Sequence, residues 1–176
     1  MPRRRATSGF AGAATNHAKG SDMALVRILI DGYSLLHAWP GLIRAHAPHS
    51  AKARDLLVAR LTRYHDATSI PLTIFFDGQG APSGTPKAVS SRGVEVLYSP
   101  AGKTADDLIE RVAYRIRPFG EVLVVTNDIA ERETVSASGA HTQSCEAFVN
   151  EVESLDGQLN KDIKDLNRRE RDRWQR

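Results

Sequence analysis

Three short, continuous apolar runs alternate with longer stretches in which apolar residues recur every three or four positions. The runs cover residues 26–31, 72–77 and 122–128, and they are rich in β-branched and aromatic side chains. Continuous runs of this length are typical of strands in a parallel sheet that is covered on both faces. A weaker run over 94–98, introduced by Gly93, predicts a fourth strand.

Helical periodicity fills the intervals between these runs. Residues 50–66 have one apolar face, and we assign their charged side chains, Arg54 included, to the other faces. Residues 104–116 follow the helical spacing more regularly, and a further helix starts near Ser144. Strands that alternate with helices predict an α/β fold of three layers, in which helices flank a central, mostly parallel sheet.

The two ends of the chain differ in composition from the core that we assign to 23–154. Residues 1–22 are rich in Ala, Gly, Ser and Thr without an apolar period, and we interpret them as a disordered basic extension. This extension is compatible with an organellar transit peptide, with an arm that contacts RNA, or with a true start at Met23. Residues 155–176 are highly charged and predict a solvated helical tail, whose arginines offer phosphate binding as the alternative.

Composition excludes several classes of function. The chain of 176 residues has 24 basic and 21 acidic side chains, and the excess of three lies entirely within residues 1–22. A neutral core argues against tight, nonspecific coating of DNA. No apolar stretch is long enough to span a membrane. Cys145 is the only cysteine, which excludes an internal disulfide and any zinc site with two cysteines, and it favours a reducing, cytoplasmic compartment.

Aspartates stand at the ends of the three strong strands. They are Asp31, Asp77 and Asp128, and a glycine follows the first two. Ligand sites of open parallel sheets form outside the carboxyl ends of the strands. One aspartate there is often only a turn residue, but three at the same edge favour a metal cage.

The helix predicted at 104 contributes a fourth acidic residue. Thr104 has the position of an N-cap, and Asp107 three residues later is its partner in a capping box. Helical geometry then places Asp106 at the edge of the buried face, so it is the better ligand candidate. A site built only from carboxylates suits Mg²⁺ or Mn²⁺, ions that commonly serve phosphoryl transfer.

Six short segments of the core occur together in a specific order. They read DGYSLL at 31–36, AWP at 38–40, FD at 76–77, GVEV at 93–96, TADD at 104–107 and VTND at 125–128. In this order, over about residues 25–152, the chain resembles the YacP-like branch of the NYN domain ribonucleases in the PIN-like nuclease superfamily. The resemblance implies a metal-dependent endoribonuclease with a PIN-like fold, which cuts messenger RNA and is associated with the ribosome.

The resemblance also implies a set of catalytic residues, namely Asp31, Asp77, Asp106 and Asp128. Three of them, Asp31, Asp106 and Asp128, would hold Mg²⁺ or Mn²⁺, while Asp77 lies close by. We predict that four further residues bind the RNA substrate, namely Ser34, Lys103, Arg111 and Asn127.

Two positions depart from the family pattern. Ser34 stands where the family usually has asparagine, and Ile129 stands where an aromatic residue often follows the last aspartate. Neither change removes a carboxylate. The alternative hypothesis is a noncatalytic module with the same fold that binds RNA or the ribosome. We expect a cytoplasmic protein, or an organellar one if 1–22 is a transit peptide.

Overall fold

Six strands form one sheet in the computed structural model, which describes residues 24–78, 88–91 (backbone only) and 93–174. The predicted basic extension over 1–22 lies outside the described residues. The strands are β1 (Leu25–Asp31), β2 (Leu72–Phe76), β3 (Ala88–Ser91), β4 (Val94–Tyr98), β5 (Glu121–Val125) and β6 (His141–Gln143). Their order across the sheet is β3-β4-β2-β1-β5-β6, and all neighbours are parallel except β3 and β4. The predicted, mostly parallel sheet is confirmed.

Helices connect the strands, and a short 3₁₀ turn, Arg117–Phe119, leads into β5. They are α1 (Gly32–Ala38), α2 (Pro40–Ile43), α3 (Ala51–Thr68), α4 (Ala105–Ile116), α5 (Ile129–Ala137) and α6 (Cys145–Trp174). The helices predicted over 50–66 and 104–116 and from near Ser144 correspond to α3, α4 and α6. The pattern did not predict α1, α2, β3 or β6, because these elements are too short to show a period, and it did not predict α5, whose buried residues are only Glu131 and Val135 and form no apolar face.

Two apolar layers cover the two faces of the sheet. Because successive side chains of a strand point to opposite faces, Ile28 and Ile30 of β1 pack in the layer with α1, α3 and α6. Leu29 lies in the second layer, which contains residues of α4 and α5. The sheet is therefore enclosed between helices, as the three-layer prediction required.

Two details of the helices differ from the prediction. Arg54 is 6% exposed, so its assignment to a solvated face of α3 is wrong. The charged segment 155–176 is helical as predicted as far as Trp174, but it continues α6 without a break at 154. In this second half Ile163 and Leu166 are exposed. Among the described helices, none combines the length and the apolar character that crossing a membrane requires.

Candidate active site

The candidate site lies at the carboxyl edge of the sheet, where three central strands end side by side. Asp31 is the last residue of β1, and Asp77 directly follows β2. Asp128 lies three residues beyond the end of β5 and is the N-cap of α5. Since β1 pairs with both β2 and β5, the three aspartates are brought to one edge.

Asp31 is held by the first turn of α1. Its Oδ1 accepts hydrogen bonds from the backbone N–H groups of Tyr33 (3.1 Å) and Ser34 (3.2 Å), and its Oδ2 accepts one from Ser34 Oγ (2.6 Å). The helix can begin directly after the strand because Gly32 has no Cβ, which would collide with the ring of Phe76. Ser34 thus orients the carboxylate of Asp31.

The start of α4 is fixed from two sides. Thr104 and Asp107 form the predicted capping box, with Asp107 N–H donating to Thr104 Oγ1 (3.2 Å) and Thr104 N–H donating to Asp107 Oδ2 (3.0 Å). The bond from Thr104 N–H is the main reason that the pKa of Asp107 is lowered. Asp77 Oδ1 accepts from Ala105 N–H (3.0 Å), which attaches α4 to the end of β2. Asp106 is therefore held toward the acidic edge.

The start of α5 resembles that of α4 in sequence but not in hydrogen bonding. Asp128 Oδ1 accepts from Glu131 N–H (3.1 Å), as an N-cap does. The Asp128 N–H, however, donates to Thr126 Oγ1 (3.1 Å), so the Glu131 side chain does not complete a capping box. Glu131 is only 6% exposed, and neither of its carboxylate oxygens forms a well-aligned hydrogen bond with the described residues, although the Thr126 side chain is near enough to favour the charged form.

These elements bring three carboxylates into one cluster. One oxygen each of Asp31, Asp106 and Glu131 lie within 4.8 Å of one another. Burial raises the pKa of Glu131 from 4.5 to about 7; the Thr126 side chain opposes this shift, and the charges of Asp106, Asp31 and Asp128 add to it. Burial is also the main reason that the pKa of Asp106 is raised, followed by the charges of Asp31, Asp128 and Asp77.

The cluster fits a divalent cation. Its donors are all carboxylate oxygens, the ligands that Mg²⁺ and Mn²⁺ prefer, and their mutual repulsion is what a bound cation relieves. A groove of ≈ 200 Å³ between α4 and α5 runs along the cluster, and its lining includes Asp106, Asp128 and Glu131.

The structure thus places the four predicted acidic residues at one edge but in different roles. Asp31 and Asp106 contribute oxygens to the cluster, whereas Asp128 and Asp77 influence it through their charges and the helix starts that they hold. Sequence reasoning missed Glu131. The spacing could have indicated it, because Glu131 lies four residues before Val135 and therefore on the same, buried face of α5.

The predicted substrate-binding residues lie around the edge. Ser34 contacts Asp31, and Lys103 and Arg111 are exposed residues whose charges act on Asp107. Asn127 accepts a hydrogen bond from Cys145 N–H (2.9 Å) and donates one to Glu146 Oε1 (2.8 Å). Asn127 therefore fixes the start of α6 beside the acidic cluster.

Comparison with known proteins gives consistent matches over this fold. The family model of the YacP-like NYN domain matches residues 28–176. The chain is 27% identical over 140 residues to the uncharacterized protein YacP of Bacillus subtilis (strain 168). The aligned region covers 79% of this chain and 82% of that protein.

Two crystal structures of Rae1 (YacP) from Bacillus subtilis are similar as well. One has a TM-score of 0.67 at 26% identity and covers 82% of each chain. The other, a point mutant, has a TM-score of 0.69 at 25% identity and covers 80% of this chain and 82% of that one. Because the family model matches most of the chain, including every residue of the acidic cluster, the chain belongs to the YacP-like NYN domain family, a family of PIN-like nucleases.

Proposed function

We propose that this protein is a metal-dependent endoribonuclease that hydrolyses phosphodiester bonds of RNA with Mg²⁺ or Mn²⁺. The observation that carries the proposal is the cluster of Asp31, Asp106 and Glu131 at the carboxyl edge of the sheet. A buried carboxylate without a hydrogen-bond partner, next to two further carboxylates, costs free energy in the folded protein. A bound cation would offset this cost, and clusters of this kind are typical of functional sites.

In this proposal Asp31, Asp106 and Glu131 would hold the cation, and Asp128, predicted from the sequence as a ligand, adds its charge beside them. A bound divalent ion supplies activation of water and neutralisation of charge on the leaving oxygen. Ser34 fixes the rotamer of Asp31 by donating to its Oδ2. Asp77 positions Asp106 indirectly, because it holds the start of α4.

RNA is the substrate class that the family membership favours. Lys103 directly precedes the N-cap of α4 and Arg111 lies in the middle of this helix; both are exposed, and they would contact phosphates of the strand that enters the acidic edge. We further propose messenger RNA, including RNA on the ribosome, as the substrate and the cytoplasm as the compartment. These finer assignments rest on the family resemblance.

The test is incubation of the purified chain with RNA, and with ribosome-bound messenger RNA, in the presence of Mn²⁺, Mg²⁺ or EDTA. We expect internal cuts that require the ion and that decrease at least about a hundredfold in Asp31→Asn. Asparagine caps helices as well as aspartate does, so this variant keeps α1. Cleavage that persists in EDTA or in Asp31→Asn contradicts the proposal. Binding without cleavage supports the noncatalytic alternative.

A further inference from the structure

A group of ring side chains lies beside the acidic edge, on the side of α1. Tyr33, two residues after Asp31, has its ring centre 4.4 Å from that of His49, and His49 lies 5.3 Å from His37. Tyr33 also packs edge-on against Phe76 at the end of β2, at 5.0 Å between ring centres. His37 and His49 are exposed, so the ring group has an apolar base and an open outer surface.

A buried cation lies directly under this ring group. Arg54 of α3 is 6% exposed, and its Nη1 donates to the backbone oxygen of His49 (2.9 Å) and to Tyr33 Oη (3.4 Å). Its guanidinium carbon is 6.0 Å from the ring centre of Tyr98, a cation–π contact. No carboxylate in the described part of the chain pairs with Arg54, and its Nε and Nη2 form no hydrogen bond there.

This combination is unusual for a purely structural arginine. Buried charges in proteins are ordinarily paired with an opposite charge, because the unpaired charge loses its hydration. Arg54 has no such pair, its open donor groups are not among the fully buried atoms that lack a partner, and its planar fork matches the geometry of a phosphate. Proteins that bind single-stranded nucleic acids combine exposed aromatic rings with groups that bind phosphate, since every base offers a face for stacking.

We propose that Arg54, His37 and His49 bind the nucleotide of the RNA next to the cleaved phosphodiester bond. Arg54 takes the phosphate and the two imidazoles take the base. The first turn of α1 links this subsite to the acidic cluster, because Tyr33 N–H donates to Asp31. The assignment of the ligand as substrate RNA rests on the proposed function.

The subsite also offsets the repulsion between the acidic edge and the phosphates of RNA. A cluster of carboxylates repels the phosphates of an approaching strand, so the strand needs a cation outside the cluster to hold it. Arg54 supplies one that is already ordered, so little side-chain entropy is lost on binding. Because stacking is tolerant of sequence, the subsite orders the strand without selecting one base.

The test measures binding of a fluorescein-labelled single-stranded RNA by fluorescence polarisation, in the Asp31→Asn background with Mg²⁺ so that the RNA stays intact. His49→Ala and Arg54→Gln are compared with matched controls. His46→Ala removes an exposed imidazole from the same loop, and Lys52→Gln removes an exposed cation from the same turn of α3.

We expect His49→Ala to raise Kd about fivefold or more, and to have little effect on an oligonucleotide that lacks the stacked base. Arg54→Gln should raise Kd and reduce the slope of log K against log salt by about 0.7, the loss of one phosphate contact on a single strand. Both controls should bind like the parent. Arg54→Met, which keeps the apolar stem of the side chain and removes the charge, serves if Arg54→Gln does not fold.

Parent-like binding by His49→Ala and by the folded arginine-site variant overturns the inference. Cleavage by the unmodified chain with Mn²⁺ is measured in parallel. Cleavage together with parent-like binding of the variants leaves the proposed function standing and removes only the subsite. Weakened binding of the variants without any cleavage keeps the subsite and removes the proposed function.

Discussion

Replacement of Glu131 by glutamine should stabilise the ion-free protein at alkaline pH, although it removes a group from the proposed site. The carboxylate of Glu131 is buried, lacks a hydrogen-bond partner among the described residues and faces Asp31 and Asp106. Glutamine has nearly the same shape but carries no charge. The variant therefore removes the cost of ionising this position and little else.

The magnitude follows from the raised pKa. Glu131 holds its proton more tightly in the folded chain, where its pKa is about 7, than in the unfolded chain, where it is 4.5. Stability is therefore fully present below pH 4.5, falls as the pH rises to about 7 and stays low above that value. The difference between the two pKa values corresponds to about 3 kcal/mol. Glu131→Gln should gain up to this amount at pH 8 and almost nothing near pH 4.5.

Urea unfolding in EDTA at several pH values between 4.5 and 8 measures this effect. Glu133→Gln is the matched control, because Glu133 is an exposed residue of the same helix. The reasoning is refuted if Glu131→Gln is no more stable than the unmodified chain at pH 8, or if Glu133→Gln gains as much. Addition of Mn²⁺ should remove most of this advantage, because the ion stabilises only the chain that keeps its ligand.

Three further predictions concern the neighbouring groups. Asp106→Asn should lower RNA cleavage at least about a hundredfold. Asp107→Asn should keep cleavage but lower the Tm by a few degrees, because it weakens the bond that Asp107 accepts from Thr104 N–H. Equal losses of cleavage in the two variants contradict this placement. Mn²⁺ at a hundredfold excess over its Kd should stabilise the chain by about 2.7 kcal/mol in thermal unfolding, and the gain should vanish in Asp31→Asn. Cys145, whose pKa burial raises to about 12, should not react with a thiol reagent until urea unfolds the chain, and rapid native labelling would disprove its burial.

The elements that could be predicted are those whose pattern depends on few neighbours. The central strands are enclosed between two layers of helices, so their residues are apolar without interruption. Helix α4 has both a regular apolar face and a capping box, and both were visible in the sequence. Helix α1 was missed because it begins directly after β1 and has only seven residues.

The sequence analysis missed Glu131 and Arg54, because charged residues are ordinarily assigned to the solvent-exposed face of a helix. Asp128 and Glu131 have the spacing of a capping box, and only the competing bond from Asp128 N–H to Thr126 frees Glu131 to turn inward. Arg54 lies three and seven residues before Leu57 and Leu61, on the same buried face of α3. Its charge suggested a solvated position. In both cases helical phase alone indicated burial, and the charge of the side chain argued against it.

The hydrogen bonds that Asp31 and Asp128 accept from α1 and α5 also determine which substitutions descendants of this protein can tolerate at these positions. Each aspartate both carries a charge of the acidic edge and caps a helix. Asparagine satisfies the cap and abolishes the charge, whereas alanine abolishes both. A descendant can therefore lose chemistry in one substitution and keep its fold. We expect inactive descendants of such a protein to carry asparagine at these positions, and to persist as folded binding proteins rather than disappear.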